Sequence, residues 1–544
     1  MAYLAGSDES EILNAADGAT GGADVIYGYG GNDFIYGLGG DDGLIGGAGA
    51  DFLDGWTGID IAYYFDSPEG VSISLSTTYG YGGTAEGDRL HGIENLAGSG
   101  YGDYLAGQIG NNELFGLGGH DVLAGGGGSD ILNGGSGNDT LNGGSGADDL
   151  YGDAGTDAAS YFDSAERVII HLFAGFGQSG DAEGDTFHSI ENVVGSAYDD
   201  LMWGNGGSNL LRGMDGHDAI GGMDGDDTLE GGNGNDALYG EDGTDTLRGE
   251  AGDDVLSGNA GGDTTIGGMG SDTYYVDSPF DVVIEYIAQG NDTVIASYDG
   301  HVLGFWLENL TLLYTAGPIS GTGNSYDNII TGNDSSNVID GGAGRDQMIG
   351  RGGDDVYYVD NTSDTVVEFG GEGEDEVRAS LSWTLTAGAD VETLRTIDDA
   401  GTAAINLTGN AAGNLVVGND GDNVLNGGAG TDELRGLGGA DSFLFDTPLD
   451  SMFNVDDVTD FNVADDTIRL DQTIFSSSLG LGNISSGELV IGSAALEAND
   501  RIIYDSGTGE LFYDADGVGG HGQVQFATLS TGLALTYLDF LVVA

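Results

Sequence analysis

Asp218, Asp227, Asp236, Asp245, Asp254, Asp263 and Asp272 stand nine residues apart. A carboxylate repeated at a fixed interval is a way to hold cations, and the interval decides the geometry. Each unit reads G-G-x-G-x-D-x-U-x, where U is a large apolar residue: Ile220, Leu229, Leu238, Leu247 and Leu256. The glycine-rich six residues predict a turn whose backbone visits positive φ. The remaining x-U-x predicts a short strand with U pointing inward. Two units close one coil, so Asp236 falls on the same side as Asp218, one coil on and about 4.8 Å away. Two bare carboxylates about 5 Å apart repel by about 3 kcal/mol at an effective dielectric of about 20, so a column of them needs a cation between the coils. Carboxylate and carbonyl oxygens, with neither sulfur nor imidazole in the pattern, select a hard ion, and Ca2+ tolerates such irregular geometry best.

The pattern forms five blocks, whose candidate metal ligands are as follows. The first carries Asp24, Asp33, Asp42, Asp51 and Asp60, and the second Asn112 together with Asp103, Asp121, Asp130, Asp139, Asp148 and Asp157. The third adds Asp200 and Asn209 ahead of the run from Asp218 to Asp272. Two short blocks carry Asn328, Asn337, Asp346, Asp355 and Asn414, Asn423, Asp432, Asp441. A neutral amide binds calcium more weakly, so the asparagines that open the short blocks read as coil caps. This nonapeptide resembles the repeat of the RTX (haemolysin-type calcium-binding) family, which forms a calcium-loaded parallel β-helix. The resemblance implies an all-β fold: tandem parallel β-roll blocks stacked on calcium, separated by β-rich spacers and ended by a β-rich cap. Same-side pairs imply roughly 15–20 Ca2+ ions. A disordered Gly/Asp linker would not place Leu or Ile two residues after nearly every aspartate.

The expected organisation follows the breaks in period. Residues 1–60 hold an N-terminal cap, with Glu11 and Leu13 in an imperfect unit, and the first roll, where Trp56 reads as a packing lid. A β spacer at 61–102 recurs at 158–199: Tyr64 to Ser67 matches Tyr161 to Ser164, and Asp88 matches Asp185. The second roll lies between them at 103–157, and the third and longest follows at 200–275. A different spacer at 276–327 recurs at 358–413, with Tyr274 matching Tyr357 and Glu285 matching Glu368. These two resemble haemolysin-type spacers. The fourth roll spans 328–357, the fifth 414–442, and a C-terminal cap 443–544.

Charge is lopsided: 92 Asp+Glu against 11 Lys+Arg, all of them arginine, for a net charge of −81. That balance argues against nucleic acid and anionic membrane as partners, and predicts that the ion-free chain repels itself. With no cysteine, metal must serve as the staple of a protein outside the cell. No apolar stretch is long enough to span a membrane. The first residues lack the basic and apolar regions of a Sec signal. Ser442 to Phe445, Asp457 to Phe461 and Asp466 to Leu470 resemble the domain that ends RTX proteases. Asp539 to Ala544, an acidic residue before an apolar run, resembles the uncleaved signal read by a type I ABC exporter; a final edge strand on the cap is the plain structural reading. The expected location is secreted, extracellular or bound to the surface of a bacterial cell.

Catalytic signatures are missing. There is no H-E-x-x-H and no G-x-S-x-G. His91, His120, His171, His188, His217, His301 and His521 stand apart in sequence. Asp514-Ala-Asp516-Gly517 opens like an EF-hand but lacks ligands at Val518 and Gln525, so a hairpin turn is expected there. The chain thus reads as a non-enzymatic, secreted calcium-binding repeat protein that folds on extracellular calcium, with a structural, adhesive or surface/matrix role. The alternative is an extracellular hydrolase or polysaccharide-active enzyme with its site in a spacer. Expected partners are calcium, the exporter, and either further copies of itself or an anionic cell-surface glycan.

Overall fold

The structure is a computed structural model and describes residues 2–14, 18–475 and 479–544; residues 15–17 of the expected N-terminal cap lie outside it. The chain divides into two units, Met1–Gly290 and Asn291–Ala544, and stacked coils make a parallel β-solenoid.

In the first unit, successive nonapeptides deliver strands alternately to two sheets. Ala219–Asp224, Ala237–Gly243 and Val255–Gly261 lie side by side in one sheet. Leu210–Asp215, Thr228–Asn233 and Thr246–Ala251 lie in the other. The register is one coil, with Leu238 between Ile220 and Leu256. The apolar residue of each nonapeptide therefore stacks on its own kind. Ile26, Ile35, Leu44, Leu53, Leu229 and Leu247 are fully enclosed. Burying one such side chain contributes about 1.5–3 kcal/mol. Ordering nine backbone residues costs about 1–2 kcal/mol each, so the apolar columns cannot hold the coils by themselves.

Within the first unit, the segments between the blocks do not interrupt the solenoid. In 61–102 one sheet steps directly from Ile61–Tyr63 to Asn95–Ala97. The other sheet receives an antiparallel meander: Arg89–His91 pairs in parallel with Phe52–Asp54, Tyr79–Tyr81 turns back, and Ser72–Ser74 hands on to Tyr104–Ala106. The second copy makes the same meander from Thr186–His188, Phe176–Gln178 and Ile169–His171. It joins the sheet opposite to that used by the first copy. Trp56, expected as a packing lid, is instead 60 % exposed and sits on a left-handed backbone (φ 66°).

In the second unit one sheet runs without a break from His301–Val302 to Asp456–Val458. The strands after it belong to a compact end. Glu510–Tyr513 and Val524–Thr528 form the expected hairpin, with His521 held to Asp516 at 3.1 Å. The last strand, Phe540–Val543, is not an edge. It pairs in parallel with Thr467–Asp471 and antiparallel with Gly482–Asn483, and Phe540 and Val542 are buried.

Candidate metal-binding ladder

The nonapeptide aspartates form ladders along the solenoid. In the first three blocks, the backbone N–H of one aspartate donates to Oδ1 of the aspartate one coil later: Asp24 to Asp42 at 2.7 Å, Asp121 to Asp139 at 2.8 Å, Asp218 to Asp236 at 2.8 Å. In the two short blocks asparagine N–H groups donate in the same way, as from Asn328 to Asp346 and from Asn414 to Asp432. The turn encloses each carboxylate almost completely; Asp33, Asp121, Asp218 and Asp236 are 1 % exposed. The glycine five residues earlier is required for this. A methyl group at Gly213 would collide with Oδ2 of Asp218, and one at Gly222 with Oδ2 of Asp227.

The ladders pass through the spacers on residues that the nonapeptide pattern does not mark. Asp51 donates to Asp88 and Asp148 to Asp185, at 2.7 and 2.8 Å. Asp60 and Asp157 donate to the glutamates Glu94 and Glu191. In the second unit Asp346, Asp355, Asp432 and Asp441 donate to Asp364, Asp375, Asp456 and Asp466. The duplication at a constant offset was the available signal, since Asp88 and Glu94 recur as Asp185 and Glu191.

The rungs fall into two kinds, distinguished by the second carboxylate oxygen. Among the described residues, Oδ2 is buried and meets no donor at Asp33, Asp42, Asp51 and Asp60, at Asp121, Asp130, Asp139, Asp148 and Asp157, and at Asp218, Asp227, Asp236, Asp245, Asp254 and Asp263. The same holds at Asp346, Asp355, Asp375 and Asp432 in the second unit. At every one of these, the residue four positions earlier has positive φ. It is glycine at Gly135 or Gly232, but also Leu38, Leu117, Met214, Met223, Glu250 and Arg351, with φ between 74° and 88° for these six. Side chains other than glycine are strained in this region by about 1–2 kcal/mol, and such strain persists where the surroundings impose it.

The other rungs are closed by the protein. Thr20, Ser99 and Ser196, four residues before Asp24, Asp103 and Asp200, donate their N–H to Oδ2 at 2.5–2.6 Å. In the two meanders the fully enclosed Tyr64 and Tyr161 donate their hydroxyls to Oδ2 of Asp88 and Asp185, at 3.1 and 2.7 Å. The asparagines engage protein groups at both ends. Oδ1 of Asn112, Asn209, Asn328, Asn337, Asn414 and Asn423 accepts the N–H four residues earlier. Each amide nitrogen donates to a carbonyl of the preceding spacer, such as Glu94 from Asn112, Glu191 from Asn209 and Ile405 from Asn423.

Among the described residues, no arginine or histidine forms an ion pair with an open rung. The arginine ion pairs among the described residues join carboxylates outside the ladder, as in Arg212–Glu230, Arg378–Glu376 and Arg435–Glu433. The histidines are used elsewhere. His120 and His217 accept backbone N–H groups of the next coil at 2.7 Å, His171 stacks on Trp203, and His188 on Tyr151. Burial first, and like-charged neighbours second, push the open carboxylates up: Asp42 to about 6, Asp121 to about 7 and Asp218 to about 8. Buried oxygen anions with one lone-pair face left over fit a hard divalent ion.

A solenoid of glycine turns carrying such a ladder defines a calcium-binding repeat protein. A family model for the RTX calcium-binding nonapeptide repeat matches residues 19–44, 37–62, 97–132, 124–158, 190–220, 212–247, 239–274, 322–357 and 408–443. The chain carries RTX calcium-binding nonapeptide repeats on a parallel β-solenoid of the β-roll type, and the ion such repeats bind is Ca2+. No curated protein matches the chain.

Proposed function

We propose that this is a secreted solenoid that calcium folds outside the cell, with a structural or surface-associated role. The open ladder carries the reading: buried carboxylates whose second oxygen meets no donor oppose the fold until a cation joins them. The aspartates whose fourth preceding residue is left-handed supply the ligands, and calcium provides the charge that balances them. Asp24, Asp103, Asp200 and the six asparagines hold their coils through protein hydrogen bonds instead and bind no ion. Extracellular modules bind calcium at about 10⁻⁴–10⁻³ M, so such a chain stays ion-free and unfolded in the cytosol. In the folded protein Phe540–Val543 is enclosed by strands on both sides. A type I exporter would therefore read this segment only in the unfolded chain, which fits export before folding. Removing residues 485–544 should trap the protein in an exporter-competent cell, and normal amounts in the medium would refute the secretion route.

The net charge of −81 keeps the loaded surface acidic. Self-association, or attachment to an anionic surface glycan, would run through further shared calcium. Light scattering across a calcium titration tests this, and single particles at about 10 mM calcium that do not bind washed producer cells would refute it.

A further inference from the structure

Where a rung needs no ion, this chain supplies a donor: a Ser or Thr N–H, an asparagine amide, or the tyrosine hydroxyls on Asp88 and Asp185. The 358–413 segment departs from that habit. Tyr357 occupies the inward apolar position, fully enclosed like Tyr64, but its hydroxyl donates to Glu368 rather than to a rung aspartate. Glu368 is thereby brought in against two rung aspartates, Asp355 and Asp375, whose own link is the Asp355 N–H to Asp375 Oδ1 bond of 2.9 Å. The ligand atoms of the three carboxylates lie within 4.8 Å of one another. The residues are 0 %, 2 % and 1 % exposed, and Oδ2 of Asp355, Oε2 of Glu368 and Oδ2 of Asp375 are buried without any donor. Gly350 leaves the room, since a methyl group there would collide with Tyr357, Asp355 and Glu368 together.

We propose that Asp355, Glu368 and Asp375 form a calcium site of a second kind, tighter than the nonapeptide sites. Three carboxylates converge here, where an ordinary rung brings two, and affinity for calcium rises with ligand charge and site rigidity. Glu368 and Asp375 lie outside the residues matched by the repeat model. Tyr357 is a positioning residue: it fixes Glu368 without being a ligand. This inference rests on the calcium-folding reading and adds to it an ion that remains when the others leave.

The test uses the full chain, loaded with calcium and then dialysed against about 10 µM free calcium, well below the range of extracellular repeat modules. Bound calcium is counted by atomic emission. Wild type should retain tight calcium, and Glu368→Gln should hold one ion fewer per chain, with the two proteins giving the same far-UV CD at saturating calcium. Tyr357→Phe should keep a near-wild-type count at saturation yet lose part of the tyrosine-sensitised emission of bound Tb3+. If Glu368→Gln does not fold at saturating calcium, Asp375→Asn takes its place with the same expected loss. Equal tight-ion counts in wild type and the folded variant would overturn the site. So would a wild type that holds no ion at this concentration while still folding at millimolar calcium, and that result would leave the calcium-folding reading intact. A chain indifferent to calcium throughout would remove both.

Discussion

The N–H of Asp218 donates to Oδ1 of Asp236 at 2.8 Å, while Oδ2 of each is buried and meets no donor. One oxygen of every open rung is thus spent on joining coils, and the other is left without a donor. The carboxylates that join the coils also oppose their stacking for as long as they stay charged and unpaired.

Acid should partly replace calcium. Asp42, Asp121 and Asp218 are raised to about 6, 7 and 8 by burial and then by neighbouring carboxylates, against about 3.9 in an unfolded chain. A raised carboxyl binds its proton more firmly in the fold, so its contribution is present at low pH and lost as pH rises through the folded value. In chelator, lowering the pH from about 8 to about 5 should increase the β signal in far-UV CD. With limiting calcium the sign reverses, because protons then compete with the ion.

Asp236→Ala should raise the calcium midpoint of folding and reduce the number of ions bound. Asp236 is an open rung with aspartates on both sides, Asp218 and Asp254. Asp24→Ala should leave the midpoint nearly unchanged, because Thr20 and Ala2 already satisfy its carboxylate. Calcium-titrated CD with atomic emission compares them, and equal midpoints would remove the distinction between open and closed rungs.

Asn337→Asp should destabilise the protein in chelator by about 1–3 kcal/mol, the cost of an unsatisfied buried group. The amide that donates to the carbonyl of Ile319 at 3.0 Å would become an acceptor. Saturating calcium should recover part of the loss. Denaturant unfolding at high and low calcium measures both.

Tyr161→Phe should cost about 1–3 kcal/mol at saturating calcium, since Asp185 loses the hydroxyl donor at Oδ2 while remaining buried. Thermal unfolding detects it.

Met223→Gly should stabilise the loaded protein by up to about 1 kcal/mol, because the left-handed backbone at φ 85° is strained for methionine and open to glycine. A loss of stability would show that the side chain itself supports the turn.

The period, the inward apolar residue and the calcium chemistry could all be read from the sequence, because each depends on a nine-residue interval. Leu238 and Asp236 stand where that interval puts them. Open and closed rungs could not be told apart in the same way. The difference lies in the sign of φ four residues before the aspartate, and leucine at 38, glutamate at 250 and arginine at 351 adopt the same left-handed turn as glycine. The course of the ladder through Asp88 and Glu94 was hidden for another reason. The meander places the next rung 37 or 34 residues on, and only a folded sheet converts those separations into neighbours.

The two meanders also show how such a chain can grow. Their sequences match and so do their tyrosine–aspartate bonds, yet they sit on opposite sheets. The side is therefore not written in the module. It follows from parity: eight single strands, from Asn95–Ala97 to Ala158–Ser160, alternate between the sheets from one meander to the next, so the second meets the solenoid half a coil out of step with the first. Either sheet accepts the module, so one nonapeptide more or fewer between the copies would place both on the same sheet.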